Sequence, residues 1–378
     1  MDPDFGNDLF ERSLRTSSPT ERALVWTSIV SLINTPGFTD VPKQIQDVCK
    51  CICGTAVRYW DKRSRLIVLR AVEEGCKYDA FIKTLASIIV QSVEKGNLSD
   101  PGQSFALLSW SCILLKNLDF SPSNKIIPRL MPIVASLTDN ARTRSALSIN
   151  KVFFKLFRDK PEAVDFFLKY IRDSSEGYKH LILFKPVFEF CAQTKGQDNR
   201  EELMGLYIQA VLSAKTAPPS AAVEAFLPLV KSLSAEEFME KIFPVVVKMM
   251  KRSPEAVAGS AVALFSSQTA HDMSKCIPEI LPSLLQLIRN AEEARRDSAA
   301  SIITSLAKQC SNFDTIESAV DAIQAILKGS EGRLAQVHQR LGMMQSLSCL
   351  CAVPGRGKAV SRVAAKAAEV VATFYKSE

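Results

Sequence analysis

Glycine and histidine are scarce in this chain, and no long apolar run occurs. Fifteen glycines in 378 residues, with almost no alternation of β-branched and polar residues, exclude a β-rich fold. The three histidines, His180, His271 and His338, stand far apart, with no acid or nucleophile at motif spacing. The longest apolar stretch, residues 105–115, is interrupted by serines and is too short to span a bilayer. The N-terminal MDPDFGNDLFERS is acidic and lacks the apolar centre of a secretory signal. The ten cysteines, scattered among apolar neighbours, are therefore expected to be reduced core thiols of a cytoplasmic or nuclear protein.

Chemistry at motif level is equally thin. Cys49, Cys51 and Cys53 lie close in sequence, as do Cys349 and Cys351, but no histidine or second cysteine pair follows at zinc spacing. Gly357-Lys358 resembles the end of a phosphate-binding loop, yet Ala359 replaces the required Ser or Thr. No catalytic residue, metal, cofactor or small-molecule substrate is expected, and the chain is not expected to be an enzyme.

What the sequence does contain is helical period. In residues 275–310, Ile277, Ile280, Leu281, Leu284, Leu285 and Ile288 recur at i, i+3, i+4, i+7, i+8 and i+11, one face of a helix. After Asn290, with Glu292 and Glu293 placed to favour a helix start, a second stripe runs through Ala299, Ile302, Ile303, Leu306 and Cys310. Neither helix can bury its stripe alone, so the pair must stack on similar pairs. First helices of such pairs are expected near residues 40, 77, 124, 161, 199, 236, 275 and 313, with an unpaired helix from about 358. Pro132, Pro244 and Pro282 fall inside first helices, where a bend is tolerated. The period predicts an all-α fold, a HEAT-type α-solenoid. The expected organisation is a cap helix with a frayed start over 1–36 and about eight helix pairs over 37–351. A terminal helix over 352–378 would then close a piece of a longer array. Capping boxes are expected at Ser18 with Glu21 and at Ser234 with Glu237.

Charge is the remaining signal. Lysine and arginine number 47 against 40 acids, a net +7. Residues 125–160 hold eight cations against two acids, and Arg144, Lys151, Lys155 and Arg158 fall within one narrow stripe at 100° per residue. Such a stripe either binds phosphate backbones by counterion release or is a solvated face. Arg142, Lys251, Arg252, Arg356 and Lys358 are further candidate RNA contacts. Arg295 or Arg296 is better placed to hold a turn. Phe153, Phe154 and Phe157 follow core spacing and offer no platform for bases.

Several segments resemble a known family: FALLSWSCILLK at 105–116, RSPEAV at 252–257, LAKQC at 306–310 and IESAVDAIQAILKGSEGRL at 316–334. They are similar to the N-terminal HEAT-repeat region of the general control non-derepressible protein one family, in register over about residues 20–351. The resemblance implies a non-catalytic scaffold that associates with stalled or collided ribosomes, contacting ribosomal RNA and proteins. It further implies support for the initiation factor two alpha kinase during amino-acid starvation, with the kinase gripped only through regions absent from this chain. A generic HEAT adaptor, such as a nuclear transport receptor or phosphatase scaffold, is the alternative.

Overall fold

The computed structural model describes residues 15–16, 18–56, 62–95, 100–121, 123–194, 198–268, 271–353 and 358–376. Every regular element among them is helical. The chain divides into two compact units, Met1–Phe190 and Cys191–Glu378.

In the first unit, α1 (Pro19–Ile33), α2 (Pro42–Ala56), α3 (Lys62–Gly75), α4 (Asp79–Glu94) and α5 (Pro101–Asn117) precede the long α6 (Ile127–Asp159). α2 packs on α4 and α4 on α6, while α1 packs on α3 and α3 on α5. Helices two apart in sequence therefore stack on one another, which is the stacking order of a solenoid. Ser18 caps α1 and Pro19 occupies its first turn. The Glu21 carboxylate, expected to close a capping box there, instead accepts the Thr16 hydroxyl at 2.5 Å.

α6 is where expectation and structure part. The period calls for a hairpin over 124–160, but one helix of 33 residues fills the interval. The physical reason is local. The stretch DNARTRSA at 139–146 holds neither Pro nor Gly, so nothing breaks the backbone ladder there. The C-terminal half of α6 lies beside α5, with Lys116 and Asp159 meeting at the ends of both helices. One continuous helix thus supplies both positions of a pair. Below it, α7 (Glu162–Asp173), α8 (Tyr178–Leu183) and α9 (Lys185–Gln193) close a core of rings. Phe153, Phe157, Phe167 and Phe184 are fully buried with centroids 5.1–6.0 Å apart. Edge-to-face pairs of this kind add about 0.5–1.5 kcal/mol each beyond area burial.

The second unit repeats the hairpin more regularly. α10 (Asp198–Tyr207) runs into a π turn, Ile208–Leu212, and is followed by the short α11 (Ser220–Ala225) and α12 (Leu227–Ser232). Ala235–Glu237 and a second π turn, Phe238–Ile242, lead into α13 (Phe243–Arg252). Pro244 offers no N–H just after that π turn, where the helix is already shifted to i→i+5 bonding. Then come α14 (Pro254–Ser267), α15 (Cys276–Ile288), α16 (Glu293–Lys308), α17 (Phe313–Leu327), α18 (Val337–Leu350) and α19 (Lys358–Lys376). α13, α15, α17 and α19 stack as first helices, and α14, α16 and α18 as second helices. All six residues of the α15 stripe are buried, each contributing about 1.5–3 kcal/mol by leaving water. The all-α class and the solenoid stacking order are borne out within each unit.

Candidate basic surfaces

The stripe on α6 is built by helical spacing, and its side chains have unequal surroundings. Lys151 and Lys155 are exposed, as is Arg158. Lys155 Nζ lies 3.4 Å from Glu73 on α3, across the stack rather than along the helix. Arg158 Nε donates to Asp159 at 3.1 Å, and Asp159 also holds Lys116 at 2.9 Å. Hydrogen bonds from Lys116 and then Arg158 keep the Asp159 carboxyl below the usual carboxylate range. Arg142 reaches Asp139 at 3.4 Å, one turn back. Lys160 sits over the Phe120 ring, 6.0 Å from its centroid. Lys151 has no acidic partner among the described residues, and Lys160 has only the Phe120 ring. The Arg144 backbone is helical, and its side chain lies outside the described set, as do Arg356 and the Lys358 side chain. Leu147, one turn before Lys151, is 78% exposed, an apolar neighbour that the charge pattern did not flag. The Lys155–Glu73 pair is exposed on both sides, and pairs of that kind are worth little.

Arginines elsewhere hold the scaffold. Arg296 is buried and donates to the carbonyls of Asn290 and Ala291 at 2.9 and 2.7 Å, pinning the turn before its helix. Arg295 pairs with Glu292 and with Glu255 of the preceding hairpin. The structural role expected of that pair is the one seen. Arg22 and Arg340 make the same bond, each from Nη1 to a carbonyl six residues earlier, Thr16 and Leu334, at 3.3 Å. Arg362 is likewise occupied, bridging α19 to Asp314 and Glu317 of α17.

The most elaborate buried ion pair was not legible. Arg200 donates Nε and Nη2 to the two carboxylate oxygens of Glu237 at 2.7 and 2.8 Å, and reaches Ser232 Oγ and its carbonyl at 2.9 Å. Glu237 also closes the expected capping box with Ser234. The Arg200 guanidinium, offset by burial and helped by Ser234, pulls the Glu237 carboxyl down to about 2. Nearby, burial works against the Asp272 carboxylate, but Ser274 and Ser311 donate hydroxyl and amide bonds that hold it well below its ordinary value.

Lys251 and Arg252 end α13, where cations complement the helix dipole. Arg252 also lines a cavity of about 410 Å³ together with Lys215 and Lys248. Lys215 follows the π turn, a position no motif marks.

Histidines and thiols are packed rather than poised. His180 is buried against Tyr170 at 4.9 Å, and burial lowers its pKa. Phe153 and Phe157 are fully buried, so neither presents a ring to a base. Cys49 and Cys51 are buried and Cys53 half-buried. Burial pushes the Cys53 thiol up to about 12. Among the described residues no cluster of His, Cys, Asp and Glu could hold a metal, and no helix is long and apolar enough to cross a membrane.

Comparison with known proteins gives a consistent picture. Residues 200–334 match the family described as "Stalled ribosome sensor GCN1 N-terminal". Over 376 residues, 97% of the chain, it is 30% identical to "Protein ILITYHIA" of Arabidopsis thaliana. It is 24% identical to "Stalled ribosome sensor GCN1" of Homo sapiens over 89% of the chain, and 23% identical to the Mus musculus protein of that name over 90%. The chain spans 13–14% of the length of these relatives. The family resemblance carried by the sequence is thereby borne out.

Proposed function

Proceeding from the match of residues 200–334 to the N-terminal region of the stalled ribosome sensor GCN1 family, we propose that this chain is a ribosome-associating helical scaffold without catalytic activity. The observation that carries the reading is the α6 face. Lys151 stands unpaired among the described residues, Lys155 holds Glu73 only through an exposed pair, and the Arg158 side chain is itself exposed. Arg144 and Arg142 belong to the same helix, and Lys251, Arg252, Arg356 and Lys358 extend the set of candidate contacts. Ribosomal RNA is the partner this charge suits, since each phosphate neutralised releases counterions. In this reading the chain works in the cytoplasm. It positions a larger protein whose other regions support activation of the initiation factor two alpha kinase in amino-acid starvation.

The test is cosedimentation with purified ribosomes across a salt series. Lys151→Glu is the informative substitution, because Lys151 has no acidic partner among the described residues, and Arg144→Glu extends the change along the same helix. Each lost phosphate contact should reduce the slope of log affinity against log salt by about 0.7–0.9. An unchanged pellet and slope in the double variant would remove α6 from the interface.

A further inference from the structure

The cavity in the second unit has a chemistry that ribosome association does not use. It is lined by the buried or half-buried Ile208, Ala214, Val245 and Met249, by Ser213 and Ser253, and by the exposed Lys215, Lys248 and Arg252. Two elements build it. The π turn Ile208–Leu212 ends with Ser213 N–H donating to the Ile208 carbonyl at 2.8 Å, which swings the following loop and Lys215 toward α13. α13 supplies Val245, Lys248, Met249 and Arg252, spaced at i, i+3, i+4 and i+7 along one face. The three cations are exposed, and none has a carboxylate within ion-pair distance among the described residues. Elsewhere in this unit Arg200, Lys241, Arg289, Arg295, Arg362 and Lys366 hold acids, whereas these three cations converge on one cavity without one. Opposing them is only the negative end of the α13 dipole, a fraction of one charge.

We infer that this pocket binds an acidic peptide segment bearing an aliphatic side chain, the aliphatic group seated on Val245 and Met249 and flanking carboxylates on Lys215, Lys248 and Arg252. Charge complementarity selects an anion, and the apolar lining selects what the anion is attached to. A nucleic acid strand would want a ring on which to stack a base, and no aromatic residue lines the cavity. The volume of about 410 Å³ lies within the range of sites that take small ligands or peptide anchors. The assignment is independent of the α6 face and needs no ribosome.

Fluorescence anisotropy with labelled synthetic probes decides it, using the full chain. The first probe is a short peptide of aspartates and glutamates carrying two leucines. The second has serines in place of the leucines, and the third is a single-stranded RNA of mixed sequence. The leucine peptide is expected to bind, and Lys248→Glu to weaken it about tenfold or more by placing like charges together. Val245→Ser leaves the three cations in place but removes the apolar contact, and should weaken the leucine peptide while leaving the serine peptide unchanged. Circular dichroism confirms that both variants fold. Equal binding of the leucine and serine peptides would overturn the assignment, as would no binding at all. Pocket-dependent binding of RNA in place of the peptide would overturn it in favour of a phosphate backbone.

Discussion

At the scale of single residues, several arginines serve the scaffold, and their roles follow from where the carbonyls and carboxylates fall. Arg296 is predictable because it sits one turn into a second helix, facing the open carbonyls of the preceding turn. Arg22 and Arg340 obey the same spacing and become visible once second helices are laid in register. Arg200 has no such signal, since its partner Glu237 lies 37 residues on, in the next hairpin. Its consequence is a pH dependence with a definite sign. The Glu237 carboxyl titrates near 2 in the folded chain against an ordinary value of 4.5, so its contribution is fully present above pH 4.5 and is lost as pH falls toward 2. A shift of that size corresponds to about 3 kcal/mol at neutral pH. Glu237→Gln should therefore lower unfolding free energy by about 2–3 kcal/mol at pH 7. Its deficit against the parent chain should shrink steadily below pH 4.5 in denaturant titrations. A pH-independent deficit would mean that lost packing, and not the charge, is responsible.

Elements show which parts of a repeat pattern a sequence can announce. First-helix starts were legible because each carries a proline, a capping side chain or a polar break before an apolar stripe, as at Ser234 and Asn312. The hairpin expected over 124–160 failed for the converse reason: the period demanded a break that no residue there enforces. Packing distance between elements was not legible at all. Gly342 on α18 faces the Ile288 carbonyl of α15 so closely that an added Cβ would collide with it. Gly205 on α10 and Gly259 on α14 are also helical, yet an added Cβ at either meets nothing within 4 Å. Helix propensity alone makes Gly→Ala favourable by up to about 1 kcal/mol at any of the three. The structure separates them: Gly205→Ala and Gly259→Ala should raise the melting temperature, whereas Gly342→Ala should lower stability by about 1–3 kcal/mol through forced displacement of backbone. Melting curves for the three variants, recorded side by side, would expose an error if Gly342→Ala behaved like the other two.

Across the whole molecule, burial arises hairpin by hairpin, and the cysteines report it because they are spread through both units. Seven of the ten, Cys49, Cys51, Cys76, Cys112, Cys191, Cys276 and Cys310, are buried, and Cys53, Cys349 and Cys351 are half-buried. The sequence made this legible through the apolar neighbours of each cysteine, without a disulfide framework or metal spacing to compete. Burial also suppresses the reactive thiolate, raising Cys76 and Cys276 to about 12 and Cys112 further still. Two effects, access and ionisation, thus act in the same direction. At pH 8 the native chain should titrate rapidly with Ellman's reagent for no more than the three half-buried thiols, and all ten should react after guanidinium unfolding. Rapid reaction of four or more in the native state would mean that at least one hairpin opens on the timescale of the assay. Because neighbouring hairpins supply each other's buried surface, the identity of the extra thiol, read by peptide mapping, would locate the weakest stack.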